Sequence, residues 1–90
     1  MQLCWTQDAW DDYLYWQKED KKALKRINTL IKEVMRSPFE GIGKPEPLRG
    51  NLSGLWSRRI DSANRLIYQV TDNAIIILST ILVADQRHNR

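Results

Sequence analysis

Residues 44–70 read KPEPLRGNLSGLWSRRIDSANRLIYQV. One carboxylate, Glu46, stands between Pro45 and Pro47. An aromatic-led basic run follows, Trp56-Ser57-Arg58-Arg59-Ile60. A short polar turn over residues 61–64 leads to a second extended run that opens with Arg65. Side chains of extended chain alternate between two faces. Ser57 and Arg59 therefore share a face, opposite Trp56, Arg58 and Ile60. Arg65 shares a face with Ile67 and Gln69, opposite Leu66, Tyr68 and Val70. So short a turn requires an antiparallel hairpin, which can gather several guanidiniums on one side. Arginine suits phosphate because its planar fork binds two oxygens at once. An acid beside converging arginines fits a phosphodiester better than a neutral substrate.

Working outward, Asp72-Asn73 separates the second strand from a third, and the spacing predicts strands at about 55–60, 65–71 and 74–83. The last opens Ala74-Ile75-Ile76-Ile77-Leu78, apolar on both faces, which predicts a central or covered strand. On the N-terminal side, residues 37–54 hold all three prolines and all four glycines and read as a long loop. Before it, Leu24, Ile27, Leu30, Ile31, Val34 and Met35 recur as one helical stripe, with Lys21, Lys22, Lys25, Arg26 and Lys32 on the outer face. Asp20 can cap this helix and Ser37-Pro38 stops it. Thr6 can cap an earlier helix ending near Lys18. Trp10, Tyr13, Leu14 and Gln17 are expected on its inner side, and Asp11, Asp12 and Tyr15 on the other. The link between the helices is short enough to force a helix hairpin. Residues 2–5 predict a first strand.

The fold class is therefore α+β. An N-terminal strand and a helix hairpin precede an antiparallel three-stranded meander that completes one sheet, with the helices on one face. A single domain is expected over residues 1–84, followed by a polar tail at 85–90.

Ninety residues suffice for one small core. No run approaches the roughly 18 apolar residues that span a membrane, so no membrane partner is expected. The start, Met1-Gln2-Leu3-Cys4-Trp5, lacks the pattern of a signal peptide. The single cysteine, Cys4, cannot form an internal disulfide, which fits a reducing, cytoplasmic setting. Without Cys/His clusters or a Gly-rich phosphate motif, no metal and no cofactor are expected. Residues 1–20 carry five acids and one base, a balance of −4, and residues 21–90 thirteen bases and six acids, a balance of +7. The basic part can face a polyanion or an acidic protein.

Cleaving RNA by its own 2′-hydroxyl needs a base, a cation for the crowded phosphorane and an acid for the leaving 5′-oxygen. Glu46 is the candidate base, and its proline neighbours are expected to hold Lys44 and Glu46 extended. The alternative is a surface glutamate in a rigid loop. Arg65 is the candidate phosphate ligand, and the alternative is an ion pair with Asp61 or with a partner's acids. Trp56 beside Arg58 is a candidate for a base or peptide contact, whereas Trp5, Trp10 and Trp16 read as core or interface anchors. His88 is the only histidine and sits in the polar tail.

Several of these runs carry a resemblance: Ala9 to Gln17, Ser37-Pro38-Phe39-Glu40-Gly41, Gly43-Lys44-Pro45-Glu46-Pro47-Leu48, Trp56-Ser57-Arg58-Arg59-Ile60 and Asn64-Arg65-Leu66-Ile67-Tyr68. Together they resemble the YoeB/Txe toxins of the RelE/ParE toxin–antitoxin superfamily over roughly residues 1–78. The resemblance implies a microbial-ribonuclease-like fold and an endoribonuclease that cuts mRNA in the ribosomal A site. It implies Glu46 as general base and Arg65 as phosphate stabiliser, and Lys44, Arg58, Arg59 and Trp56 complete the expected RNA- and phosphate-binding set. The partners implied are a YefM-type antitoxin and mRNA on the ribosome, with a homodimer as an assembly open to the chain.

The C-terminus departs from the pattern. Where the family ends on a His-Tyr pair whose histidine is the general acid, this chain has Val83 and Ala84 and six further residues. An altered reading frame, a degenerate toxin and an attenuated variant would each produce this. A tail folded back on the site would return the His88 imidazole. The rival to an active nuclease is a catalytically silent relative that still binds antitoxin and helps to repress its operon. A third class, a ParE-like inhibitor of another target, is opposed by the KPEPL motif.

Overall fold

The computed structural model of the chain describes residues 1–80. Strand β1 (Gln2–Trp5) leads through Thr6 into helix α1 (Gln7–Glu19), and Asp20 alone separates α1 from helix α2 (Lys21–Arg36). The Thr6 hydroxyl accepts from the Ala9 N–H and the Asp20 carboxylate from the Ala23 N–H, so each helix starts on a side-chain cap. Asp20 also closes α1 through its own N–H to the Trp16 carbonyl. One residue thus ends one helix and begins the next, which folds the pair into the expected hairpin.

After a looped segment come β2 (Glu46–Pro47), β3 (Leu55–Arg59), β4 (Arg65–Val70) and β5 (Ala74–Ser79). They form one sheet with β1 in the order β1-β5-β4-β3-β2. The three-stranded meander is antiparallel, and β1 joins β5 in parallel at its far side. The strand with apolar residues on both faces, β5, is therefore central, as its composition implied. The helices cover one face. Trp16, Ile27, Leu30, Ile31 and Val34 pack there against Leu66, Tyr68, Ile75 and Ile77 of the sheet. Each such aliphatic side chain contributes about 1.5–3 kcal/mol on full burial.

Two expectations need correction. The stretch at 37–54 is not all loop, because Glu46 and Pro47 add an edge strand beside β3. The pattern hid it because prolines normally argue against strands. Here Leu48 donates its N–H to the Leu55 carbonyl. Backbone groups alternate along a strand, so Glu46 and Leu48 face β3 while the Pro45 and Pro47 nitrogens, which lack N–H, face away.

The inner side of α1 was also misjudged. Ala9, Asp12 and Trp16 are buried, whereas Trp10 and Leu14 are exposed. Asp12, expected outside, is only 1% exposed. Its carboxylate accepts from the Thr80 N–H at 3.1 Å, and the Trp16 indole donates to the Thr80 hydroxyl at 3.0 Å. Polar groups at the end of β5 set the rotation of α1, and a count of apolar residues cannot see them. Trp10 instead stacks on Tyr13 and meets Trp5 edge-on.

The third meander strand is described as far as Ser79, and the expectations for residues 81–90, including Val83, Ala84 and His88, lie outside the described residues. Among the described residues no helix is long and apolar enough to cross a membrane, and no His/Cys/Asp/Glu group could hold a metal ion.

Candidate active site

The β2–β3–β4 register decides which residues can act together. Glu46 lies opposite Ser57, which lies opposite Ile67. One rung along, Arg59 lies opposite Arg65. Alternation puts all five on the sheet face turned away from the helices. Two guanidiniums directly across a pair of strands repel one another. Glu46 relieves this on one side, accepting from Arg65 Nη1 on Oε1 at 3.1 Å. The Glu46 side chain is 57% exposed and that of Arg65 28%. Such a solvated pair stabilises the fold by less than about 1 kcal/mol. Arg59 is exposed and makes no ion pair among the described residues.

Asp61, the other carboxylate weighed for Arg65, is occupied. Its Oδ1 accepts from the Ala63 and Asn64 N–H groups at 2.8 and 2.7 Å and from the Asn64 side-chain amide. Partial burial pushes its carboxyl up, but these donors together outweigh that and hold it below the ordinary 3.8. Asp61 thus fixes the β3–β4 turn and leaves Arg65 to Glu46.

Lys44 enters the site region from an unexpected backbone state. Its φ is +51°, not extended, and Gly43 before it has φ +84°. Two successive left-handed residues swing the chain out of the preceding loop so that Pro45 can start the edge strand. A side chain at Gly43 would be strained by its left-handed φ, and a Cβ would stand 2.8 Å from Leu30 Cδ2 and 3.1 Å from Arg58 Cβ, so those neighbours would have to shift. Its carbonyl accepts from the Arg59 N–H at 2.7 Å. The Lys44 side chain is exposed, two residues before Glu46.

Arg58 and Trp56 stand on the other face, and the structure does not bring them to Glu46. Arg58 is fully buried. Its Nε donates to the Tyr68 hydroxyl, Nη1 to the Ile42 carbonyl and Nη2 to the carbonyls of Ser37 and Glu40. Tyr68 in turn donates to the Pro38 carbonyl at 2.7 Å. Burial raises the Tyr68 hydroxyl above its ordinary value, and the Arg58 contact opposes that rise. Arg58 therefore holds the 37–42 loop and is enclosed by protein, which corrects its expected place in the phosphate-binding set. Trp56 packs against Phe39, ring centres 5.0 Å apart, and against the core.

Sequence reasoning passed over Ser57 and Tyr68. The signal for Tyr68 was its position beside Arg58 on the inner face, where a buried guanidinium needs an acceptor. The geometry joins a carboxylate and two arginines, Glu46, Arg59 and Arg65, on one sheet face, which can bind an anionic oxygen cluster and move a proton beside it.

Over residues 5–82 the sequence matches the family described as YoeB-like toxin of bacterial type II toxin–antitoxin system. It is 60% identical over 77 residues to Toxin YoeB of Escherichia coli K12, covering 86% of this chain and 92% of that protein. Its structure is similar to that of a YoeB/ParE toxin from Agrobacterium tumefaciens, with a TM-score of 0.89 and 41% identity over 92% of this chain and 99% of the other. It is also similar to the toxin in a heterotetrameric YoeB–YefM complex from Staphylococcus aureus, with a TM-score of 0.85 and 45% identity over 92% and 97%. The match spans nearly the whole described fold and both strands that carry Glu46 and Arg65, and the chain belongs to the YoeB-like toxins of bacterial type II toxin–antitoxin systems.

Proposed function

We propose that this toxin is an endoribonuclease that cuts mRNA in the ribosomal A site, in the cytoplasm, by attack of the RNA's own 2′-hydroxyl. Glu46 takes the hydroxyl proton, and Arg65, Arg59 and Lys44 hold the phosphate as its charge grows. The observation that carries this reading is the 3.1 Å Glu46–Arg65 contact, with Arg59, which makes no ion pair among the described residues, on the next rung. A base and a phosphate ligand must flank the same phosphodiester, and here they already touch. A phosphate can take over Arg65 with little loss, because the solvated ion pair it replaces is weak. A YefM-type antitoxin is the proposed neutralising partner, in keeping with the S. aureus relative seen with YefM.

The test is cleavage of ribosome-bound mRNA by the purified chain. Glu46→Gln should lower the rate by about 10²–10⁴-fold, and Arg65→Gln by about 10²–10³-fold. Equal cutting by the native chain and both variants would overturn the assignment. A second reading rests on Val83, which has no proton to give at the family's acid position. If the native chain does not cut and yet binds antitoxin, it is an antitoxin-binding, operon-regulating module.

A further inference from the structure

Beside the Glu46–Arg65 contact lies a buried polar atom with no hydrogen-bond partner among the described residues. Ser57 is fully buried, and its Oγ makes no hydrogen bond among the described residues. An orphaned buried hydroxyl is unfavourable, and alanine would fill nearly the same space without that penalty. Ser57 stands directly across the β2–β3 rung from Glu46, on the same face. The Leu48–Leu55 backbone bond makes the Glu46–Ser57 rung, two residues on, a hydrogen-bonded pair, whose Cα atoms stand about 5.5 Å apart. A serine hydroxyl and a glutamate carboxylate on one face at that separation are within reach of each other.

In the structure as it stands, Glu46 leans to Arg65 instead. A bound phosphate would compete for the same guanidinium. Glu46 would then lose its anchor just when its aim at the 2′-hydroxyl matters, and a mostly exposed glutamate without an anchor samples many rotamers. We propose that Ser57 is a positioning residue that takes over Glu46 when the phosphate draws Arg65 away, its hydroxyl donating to the carboxylate. The inference rests on the roles of Glu46 and Arg65 given under the proposed function. Ser57 suits the task because its strand is paired on both sides and its side chain is enclosed, so the donor is already fixed.

The test removes Arg65 in place of adding RNA. In the native chain, Ser57→Ala should leave the melting temperature unchanged or raise it, since the hydroxyl is unused. In an Arg65→Ala background the same change should lower it by about 5 °C, because the hydroxyl now serves Glu46. Adding Glu46→Ala should abolish that drop. On ribosome-bound mRNA, Ser57→Ala should lower kcat about tenfold with KM unchanged, and Ser57→Thr should restore part of it. A melting shift of the same sign in both backgrounds would overturn the proposal. A sign reversal without mRNA cleavage by any variant would uphold the Ser57–Glu46 contact and sink the nuclease reading instead.

Discussion

Arg58 shows how one residue can look like a ligand and be a structural clamp. Its guanidinium meets the carbonyls of Ser37, Glu40 and Ile42 and the Tyr68 hydroxyl. Hydrogen bonds to a charged group contribute about 1.5–3 kcal/mol each, and a charge left partly unsatisfied in the interior costs more. Arg58→Lys keeps the charge and loses the fork, so the loop carbonyls cannot all be reached. We expect a loss of roughly 3 kcal/mol or more, read as a lower urea midpoint at unchanged slope. Tyr68→Phe should lose about 1–3 kcal/mol, because it strands both Arg58 Nε and the Pro38 carbonyl. Arg59→Lys, on the exposed face, should leave the urea midpoint in place. An Arg58→Lys midpoint equal to that of the native chain would return Arg58 to the ligand set.

At the scale of elements, the turns on either side of β3 decide whether the site assembles. Gly43 and Lys44 aim the chain into β2, and β2 carries Glu46. Gly43→Ala meets Leu30 and must hold a left-handed φ, so it should destabilise by about 2 kcal/mol or more and disturb Glu46 with it. A Gly43→Ala chain with native melting and native cleavage would show that this turn does not position β2. The opposite turn depends on Asp61. Its carboxyl titrates lower in the folded chain than in the unfolded one. The stability it adds is therefore present above pH 3.8 and lost as pH falls through its lower folded value. Asp61→Asn should flatten the fall of melting temperature with pH on the acid side of 4, and an unchanged slope would count against this role. These turns also mark the limit of what the chain shows before folding. The α2 stripe and the meander are periodic over many residues, so their elements and order were legible. Alternation also gave the faces within each strand, Ser57 with Arg59 and Arg65 with Ile67, but Glu46 joins that face only through β2. The two-residue strand β2, the left-handed Lys44 and the inward Asp12 rest on single backbone or side-chain contacts distant in sequence, and no periodicity reports those.

For the molecule as a whole, charge and chain path set the remaining expectations. The balance of +7 after residue 20 favours an acidic partner segment that orders on contact. Titration calorimetry with a YefM-type antitoxin should show binding that weakens as salt shortens the Debye length from about 10 Å at 0.1 M to 3 Å at 1 M. No detectable binding at low salt would remove the antitoxin from the partners. The end of β5 bears on the acid step. Ser79 lies opposite Ile67, two residues along β4 from Arg65. Asp12 and Trp16 grip Thr80 immediately after it. The resemblance aligns the family's general acid with position 83, three residues beyond Thr80 in the sequence, where this chain has valine. Valine at that position has no proton to give to a leaving 5′-oxygen. The Glu46 and Arg65 contributions remain, so slow cutting is expected, short of a complete site by the ~10²–10⁴-fold that a general acid supplies. The double substitution Val83→His with Ala84→Tyr should raise single-turnover cleavage of ribosome-bound mRNA by that order. The gain should vanish when Glu46→Gln is added, because acid and base act on one phosphodiester. His88→Ala should leave the native rate where it is, since His88 stands five residues beyond the position that the resemblance aligns with the family's acid. A native chain that cuts as fast as the doubly substituted one would mean that the proton comes from elsewhere, and a rate that collapses in His88→Ala would name the source.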